Sequence, residues 1–375
     1  MISFTKIDTI GNCCDICPID QKNIKMNFVA IVLSLMLLPL QVCTSGSQAL
    51  QACTPGSQSE EFRPLRLLHF SDLHGSKLHL QRIVEYMDSH ELDDAIHTGD
   101  GVICYFDDEN VFETVPGGRR VLNTIGNHDC WKGHLVWAQT NKPYDAEKGD
   151  TYVRFFIGPD AQSPTVKGWE VTQPAGADDP QSPDYQACYY YKDYPASAAR
   201  LIVLDCMHYD SAQAAWLEAT LAQAREKGLA VIGATHYPAE FGLVPYDVSL
   251  TPHGRDYPQA SDPDAVQVES MTDLAFQAVD KFIDEGGLFV CWLSGHNHND
   301  YVGLVKRHER QLQILVDKGG ELDGYMLDKD RSGENTDAFN IISWDPSRLE
   351  LRVERVGCAD GYHGSRGFTV SAASL

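Results

Sequence analysis

An α/β layered fold is predicted by three features of the sequence. Short apolar runs alternate with stretches of helical period. Most runs end in a turn rich in Gly, Asp or Asn. The last part of the chain then turns to strands with no helix between them. The 375 residues are 43% hydrophobic and 22% charged, a globular composition with room for a sizeable core.

In chain order, LRLLHF (Leu65–Phe70) reads as a buried strand. LHLQRIVEYM follows with Leu80, Ile83, Val84 and Met87 on one helical face. DDAIHTGD and RRVLNTIGNHD each end a strand in a Gly-containing turn, and RLIVLDC (Arg200–Cys206) is a further strand. A helix follows with Asp210 as N-cap, Gln213 at the capping-box position and Gly228 as its stop. LAVIGATHYP reads as a strand, MTDLAFQAVDKFIDEGG as a helix, and LFVCWLSGHNH as a strand and turn. LQILVDKGG, AFNIISWD and LELRVERV are three strands in succession, expected in a second sheet or at a mixed-sheet edge.

The first part of the chain reads differently. Met26–Cys43 has an apolar core too short to span a membrane comfortably, contains Pro39, and is preceded by Lys22 and Lys25, as in a signal peptide. LQVC and LQAC, within a short tandem duplication, offer Cys43 and Cys53 as lipoprotein-type cleavage sites. Cys43 abuts the apolar run and is favoured, with plain secretion as the alternative. Residues 1–25 read as an n-region or a mis-assigned start, and 44–61 as a polar tether. The expected folded domain is 62–360, with irregular insertions at about 131–199 and 238–266, and a tail at 361–375. The expectation is therefore an exported protein of the bacterial periplasm or cell surface, touching the membrane only through a lipid anchor. The cysteines beyond Cys53 lack the dense spacing of a disulfide scaffold, and Cys104, Cys206 and Cys291 sit in or beside apolar runs as buried thiols would. The formal net charge of -23 opposes nucleic acid and anionic lipid as partners.

Polar residues gather where the strands end. They are Asp72 and His74 in SDLH; Asp100 in GD; Asn127, His128 and Asp129 in GNHD; His236 in THYP; and His296 and His298 in GHNH. Ligand sites in open α/β sheets lie at the carboxyl ends of strands, so these residues can converge on one rim. Asp, Asn and His without thiolate suit Zn, Mn or Fe. Each motif alone is weak: Asp-x-His is usually a surface turn, and a single histidine usually a structural one. Two carboxylates, one amide and four histidines are too many for one four-coordinate ion. They suit two divalent ions sharing a carboxylate, which can clamp both sides of a phosphoryl displacement.

The ordered set DLH…GD…GNHD…H…GHNH resembles the calcineurin-like metallophosphoesterase superfamily over about residues 65–300. The resemblance implies a four-layer α/β/β/α sandwich of two mixed β-sheets. It implies that Asp72, His74 and His298 bind one metal, that Asn127, His236 and His296 bind the other, and that Asp100 bridges them. It further implies attack by a metal-bridging hydroxide, with His128 bonding a phosphate oxygen or protonating the leaving group. Asp129 is expected to orient His128 or to cap the turn. Ile103 stands where purple acid phosphatases carry a Tyr, GDGVICY replaces the GDxxDRG run of protein Ser/Thr phosphatases, and GNHD replaces the GNHE of periplasmic nucleotidases. The expected substrate is a small phosphorylated molecule facing Trp131, Lys132 and His134. The monoester reading stands beside a phosphodiesterase one (cyclic nucleotide or lipid head group) and a non-catalytic surface lipoprotein. Tyr189–Tyr191 and Tyr194 are read either as a stacking surface for a substrate ring or as an ordinary strand.

Overall fold

The computed structural model describes residues 62–101, 111–127, 129, 169–177, 181–182, 187–206, 209–239, 243–245, 273–298, 300–316, 338–357 and 368–372. Cys43, Cys104, His128, Trp131, Lys132 and His134 lie outside them, as do the proposed leader, the tether and much of both proposed insertions.

Two mixed sheets stack face to face. The first contains β1 (Leu65–Phe70), β2 (Asp94–His97), β3 (Leu122–Asn123), β11 (Ala338–Asp345), β12 (Glu350–Gly357) and β13 (Phe368–Ser371), in the order β13-β12-β11-β1-β2-β3. The second contains β4 (Tyr190–Tyr194), β5 (Ala199–Val203), β6 (Ala230–Ala234), β7 (Leu243–Pro245), β8 (Phe289–Ser294), β9 (Tyr301–Val305) and β10 (His308–Leu315), in the order β4-β5-β6-β8-β10-β9-β7. Helices α1 (Lys77–Ser89) and α2 (Val111–Thr114) cover the outer face of the first sheet, and α3 (Ser211–Glu226) and α4 (Asp273–Asp284) that of the second. This is the expected four-layer sandwich.

The layering explains the uninterrupted apolar strands. In β1, Leu65 and Leu67 pack between the sheets, while Leu68 and Phe70 pack toward α1. Both faces are covered, so alternation with polar residues is lost. In β5, Leu201 and Val203 point to the inter-sheet core and Ile202 toward α3. Each such side chain contributes about 1.5–3 kcal/mol by leaving water.

Tyr190 and Tyr194 belong to this core. The Tyr190 hydroxyl accepts from the Asn123 amide and donates to the Asn123 carbonyl, stitching β4 to β3 across the sandwich. Tyr194 donates to Asp94 on β2. Tyr189 and Tyr191 lie against Trp216 of α3. The four tyrosines are thus placed by packing within the fold, in line with the ordinary-strand reading of the two. Three boundaries are corrected. The proposed insertion at 131–199 ends in β4, an edge strand of the second sheet, and the proposed tail contains β13, an edge strand of the first. The stretch read as a second insertion contributes β7, the opposite edge of the second sheet.

Asp210 caps α3 as expected, accepting from the amides of Ala212 and Gln213. Gln213 does not close a capping box. Its buried amide group instead exchanges two hydrogen bonds with the backbone of Asp205. Arg200 is fully buried, forks onto Asp193 at 2.6 and 2.9 Å, and donates to the Thr220 carbonyl. It thereby ties α3 to the β4–β5 hairpin.

On the far side, His308 of β10 stacks on Phe276 and lies 2.6 Å from Asp280 and 2.7 Å from Asp273 of α4. Burial disfavours its charge, but hydrogen bonds to Asp280 and Asp273 outweigh this and raise its pKa. A raised folded-state pKa gives stability that is complete below the unfolded value of about 6.5 and is lost as pH climbs through the folded value. The melting-temperature advantage of wild type over His308→Gln is therefore expected to shrink as pH rises above about 6.5. A constant difference across that range would refute the assignment.

Candidate metal centre

The strand-end residues do converge. Asp72 and His74 follow β1, Asp100 follows β2, and Asn127 follows β3, all from the first sheet. His236 follows β6, and His296 and His298 follow β8, from the second. Two groups of facing donors result: Asp72, His74 and His298, and Asp100, His236 and His296. Each draws on both sheets.

In the first group, the Nε2 atoms of His74 and His298 are 3.1 Å apart. They lie 3.8 and 3.2 Å from Asp72 Oδ1, which is buried and makes no well-aligned hydrogen bond among the described residues. In the second, His236 Nε2 is 3.3 Å from Asp100 Oδ2 and 3.0 Å from Asn127 Oδ1. Asp100 Oδ2 is also 4.0 Å from His74 Nε2, so one carboxylate reaches both groups.

The loops are locked together by their backbones. Asp72 donates to the Gly99 carbonyl and His74 to the Asp100 carbonyl, joining the first two loops. Asp129 Oδ2 accepts from the amides of Asp100 and Gly126, both at 2.9 Å, joining the second loop to the third. That is the turn-capping geometry weighed for Asp129 from the sequence. Between the sheets, His236 Nδ1 lies 2.7 Å from the Thr98 carbonyl. A carbonyl only accepts, so Nδ1 carries a proton, and in the neutral ring Nε2 would present its lone pair toward Asp100 and Asn127. Asp72 Oδ2 accepts from the His296 amide at 3.0 Å. The Tyr237 ring meets His296 edge to face at 4.8 Å.

Conformational strain concentrates here. Asp72, His74, Asp100, His296 and His298 all have φ between 44° and 71°, the left-handed region that L-residues avoid. Such strain persists only where surrounding structure over-determines it, and it gathers at functional sites. Close approach supplies part of that control. A Cβ on Gly126 would strike the Asp100 carboxylate, and one on Gly295 would strike Ser71 and Asp72. Sequence reasoning passed over these glycines, Tyr237 and Thr98. The glycines carried a signal, since each directly precedes a candidate ligand.

The donor set fits divalent metal. Burial opposes charge on Asp72, but His298, His236 and His74 outweigh it and hold the carboxyl well below its usual range. Burial likewise opposes charge on His236, and Asp100 outweighs it, raising the ring to about 9. The carboxylates thus draw positive charge into a buried cluster of imidazole nitrogens. A metal cation supplies that charge by displacing the protons.

The two-sheet sandwich carries a nitrogen- and oxygen-rich rim of the kind that suits divalent metal. The family model for calcineurin-like phosphoesterases matches residues 65–300, more than half of the chain. The protein belongs to that family and is a hydrolase acting on phosphoric esters with divalent metal. Among solved structures, it is similar to a dimetal phosphatase from Danio rerio, with 12% identity and a TM-score of 0.48 over 82% of this chain and 99% of that one. It is also similar to a purple acid phosphatase from yellow lupin (Lupinus luteus) seeds, with 15% identity and a TM-score of 0.49 over 83% of this chain and 54% of that one. No curated protein sequence matches it significantly.

Proposed function

We propose that the protein is a dinuclear phosphoesterase acting on a small phosphorylated molecule. The carrying observation is the pair of donor groups with the Asp100 carboxylate in reach of both. Asp72, His74 and His298 would hold one ion, and Asn127, His236 and His296 the other, with Asp100 shared. Bound ions would act as Lewis acids toward the phosphoryl oxygens and bring a water's pKa down toward 7, giving a nucleophile at neutral pH.

The chain's own residues do the rest. The Thr98 carbonyl holds the His236 ring in the tautomer that presents Nε2. Asp129, reaching the amides of Asp100 and Gly126, keeps the shared carboxylate and Asn127 in register. Asp129 is therefore assigned a positioning role through Oδ2, beside the orientation of His128 expected from the sequence. His128, between Asn127 and Asp129, is assigned to donate a hydrogen bond to a phosphate oxygen or a proton to the leaving alkoxide. Trp131, Lys132 and His134 follow directly in sequence and are assigned to face the substrate.

His128→Ala is expected to lower turnover by roughly 10²–10⁴-fold, the usual weight of a general acid, while metal content stays near that of wild type. Loss of metal in this variant would make His128 a ligand and overturn its role. The wider reading is tested on purified protein supplied with Mn, Zn or Fe. Metal content should approach two ions per chain. Rates on a phosphate monoester and a diester sharing one leaving group then show which ester is preferred. Fewer than one bound ion per chain under metal-replete conditions would favour a non-catalytic scaffold.

A further inference from the structure

Outside the donor set, one buried ion pair joins the two sheets at the edge of the site. Asp300 lies two residues beyond His298, at the entry to β9 of the second sheet. Arg355 is on β12 of the first sheet. Its Nη2 is 2.8 Å from Asp300 Oδ2, with the two side chains 4% and 13% exposed. Arg355 is aligned across the sheet with Asn340, and Asn340 with His69 near the end of β1. Arg355 Nη1 lies at the hydrogen-bond limit, 3.5 Å, from Asn340 Oδ1, and neither Nε nor Nη2 makes a well-aligned hydrogen bond among the described residues, so the Asp300 contact is held by charge and proximity.

The turn carrying His296 and His298 thus has two anchors on the opposite sheet. Ahead of His298, Gly295 presses on Ser71 and Asp72, and the His296 amide is bound by Asp72. Behind it, Asp300 is held by Arg355. The first anchor is itself part of the donor set, but the second is not. A buried ion pair adds little net stability over an apolar pair of like volume, because desolvation offsets much of the attraction. What such a pair can contribute instead is register, since parting the two surfaces would leave a buried charge unpaired. Asp300 is two residues from His298, which meets Asp72 Oδ1 at 3.2 Å and His74 Nε2 at 3.1 Å.

We propose that Arg355, through Asp300, is a positioning residue that holds His298 in ligating geometry. The inference rests on the two-metal reading. Arg355 stands outside both donor groups, so its loss is expected to act on metal affinity before it acts on chemistry. Metal-free wild type and Arg355→Ala are titrated with Mn by calorimetry, and their metal-free melting curves are recorded. The expected result is one ion bound about 10–100-fold more weakly, in the range seen when a partner supporting a ligand is lost. The other ion and the metal-free melting temperature should change little. Raising Mn should restore turnover, and Arg355→Lys should recover part of the affinity. A merely structural role would lower the metal-free melting temperature and would not be rescued by Mn.

Unchanged affinity for both ions in Arg355→Ala would overturn the proposal, as would a lowered metal-free melting temperature without Mn rescue. If Arg355→Ala fails to fold, Asp300→Asn, which is isosteric and keeps hydrogen-bonding capacity, takes its place with the same expected and overturning results. Wild type binding fewer than two ions would instead defeat the two-metal reading. Wild type binding two ions, with the variant indistinguishable from it, defeats the positioning role alone.

Discussion

Asp100→Asn is expected to reduce turnover by about 10³-fold or more, equivalent to roughly 4 kcal/mol of lost transition-state stabilisation. The substitution isolates charge. Asn has the same outline, keeps an oxygen toward the donor groups, and tolerates the left-handed backbone at φ 59°. The Asp129 bond to the backbone amide is untouched. What disappears is the negative charge standing 3.3 Å from His236 Nε2 and 4.0 Å from His74 Nε2. Because that carboxylate reaches both groups, affinity for both ions should fall together. Metal analysis after equilibrium dialysis, beside turnover on a chromogenic phosphate ester, reads both effects. Loss of one ion alone would show that Asp100 serves a single site. Wild-type turnover with full metal content would remove it from the mechanism.

Removal of metal should lower the melting temperature by roughly 10–20 °C. Two sites saturated at 10²–10³ times their dissociation constants add about 3–4 kcal/mol each, and a domain of this size shifts a few degrees per kcal/mol. The placement of the donors strengthens the expectation, since each group takes residues from both sheets. Metal bound there would cross-link the sandwich, and its departure would leave strained backbone at five positions with no ligation to offset it. Differential scanning calorimetry before and after chelator dialysis, with restoration by added Mn, measures the effect. A melting temperature indifferent to chelator would mean that the site is held entirely by its hydrogen bonds.

The sequence made the site more legible than its setting. Each candidate ligand follows an apolar run, and covered sheets place such positions on one rim, so their convergence was legible, while the grouping of Asp72 with His298 came from the family resemblance. The faces of the Tyr189–Tyr194 run were not legible. Period-two alternation shows that neighbours point opposite ways, but not that one side meets Asn123 and the other Trp216. Gln213 matched a local capping pattern, yet the backbone of Asp205 offered two hydrogen bonds to its buried side chain. Tertiary demand overrode local preference. The Asp300–Arg355 pair carried no sequence signal, because its separation is set by strand order rather than by helical or strand period.

That strand order has a consequence for how the molecule comes into being. β11 lies between β12 and β1, so the first strand acquires its antiparallel neighbour only when residues near 340 arrive. Contacts this distant in sequence raise the entropy of closure and slow folding. During synthesis, β1 and β2 emerge with one flank open, and the rim they support cannot reach its final geometry until the carboxyl-terminal strands insert. Acquisition of metal should accordingly be a late event, reporting completion of the chain rather than nucleating its collapse.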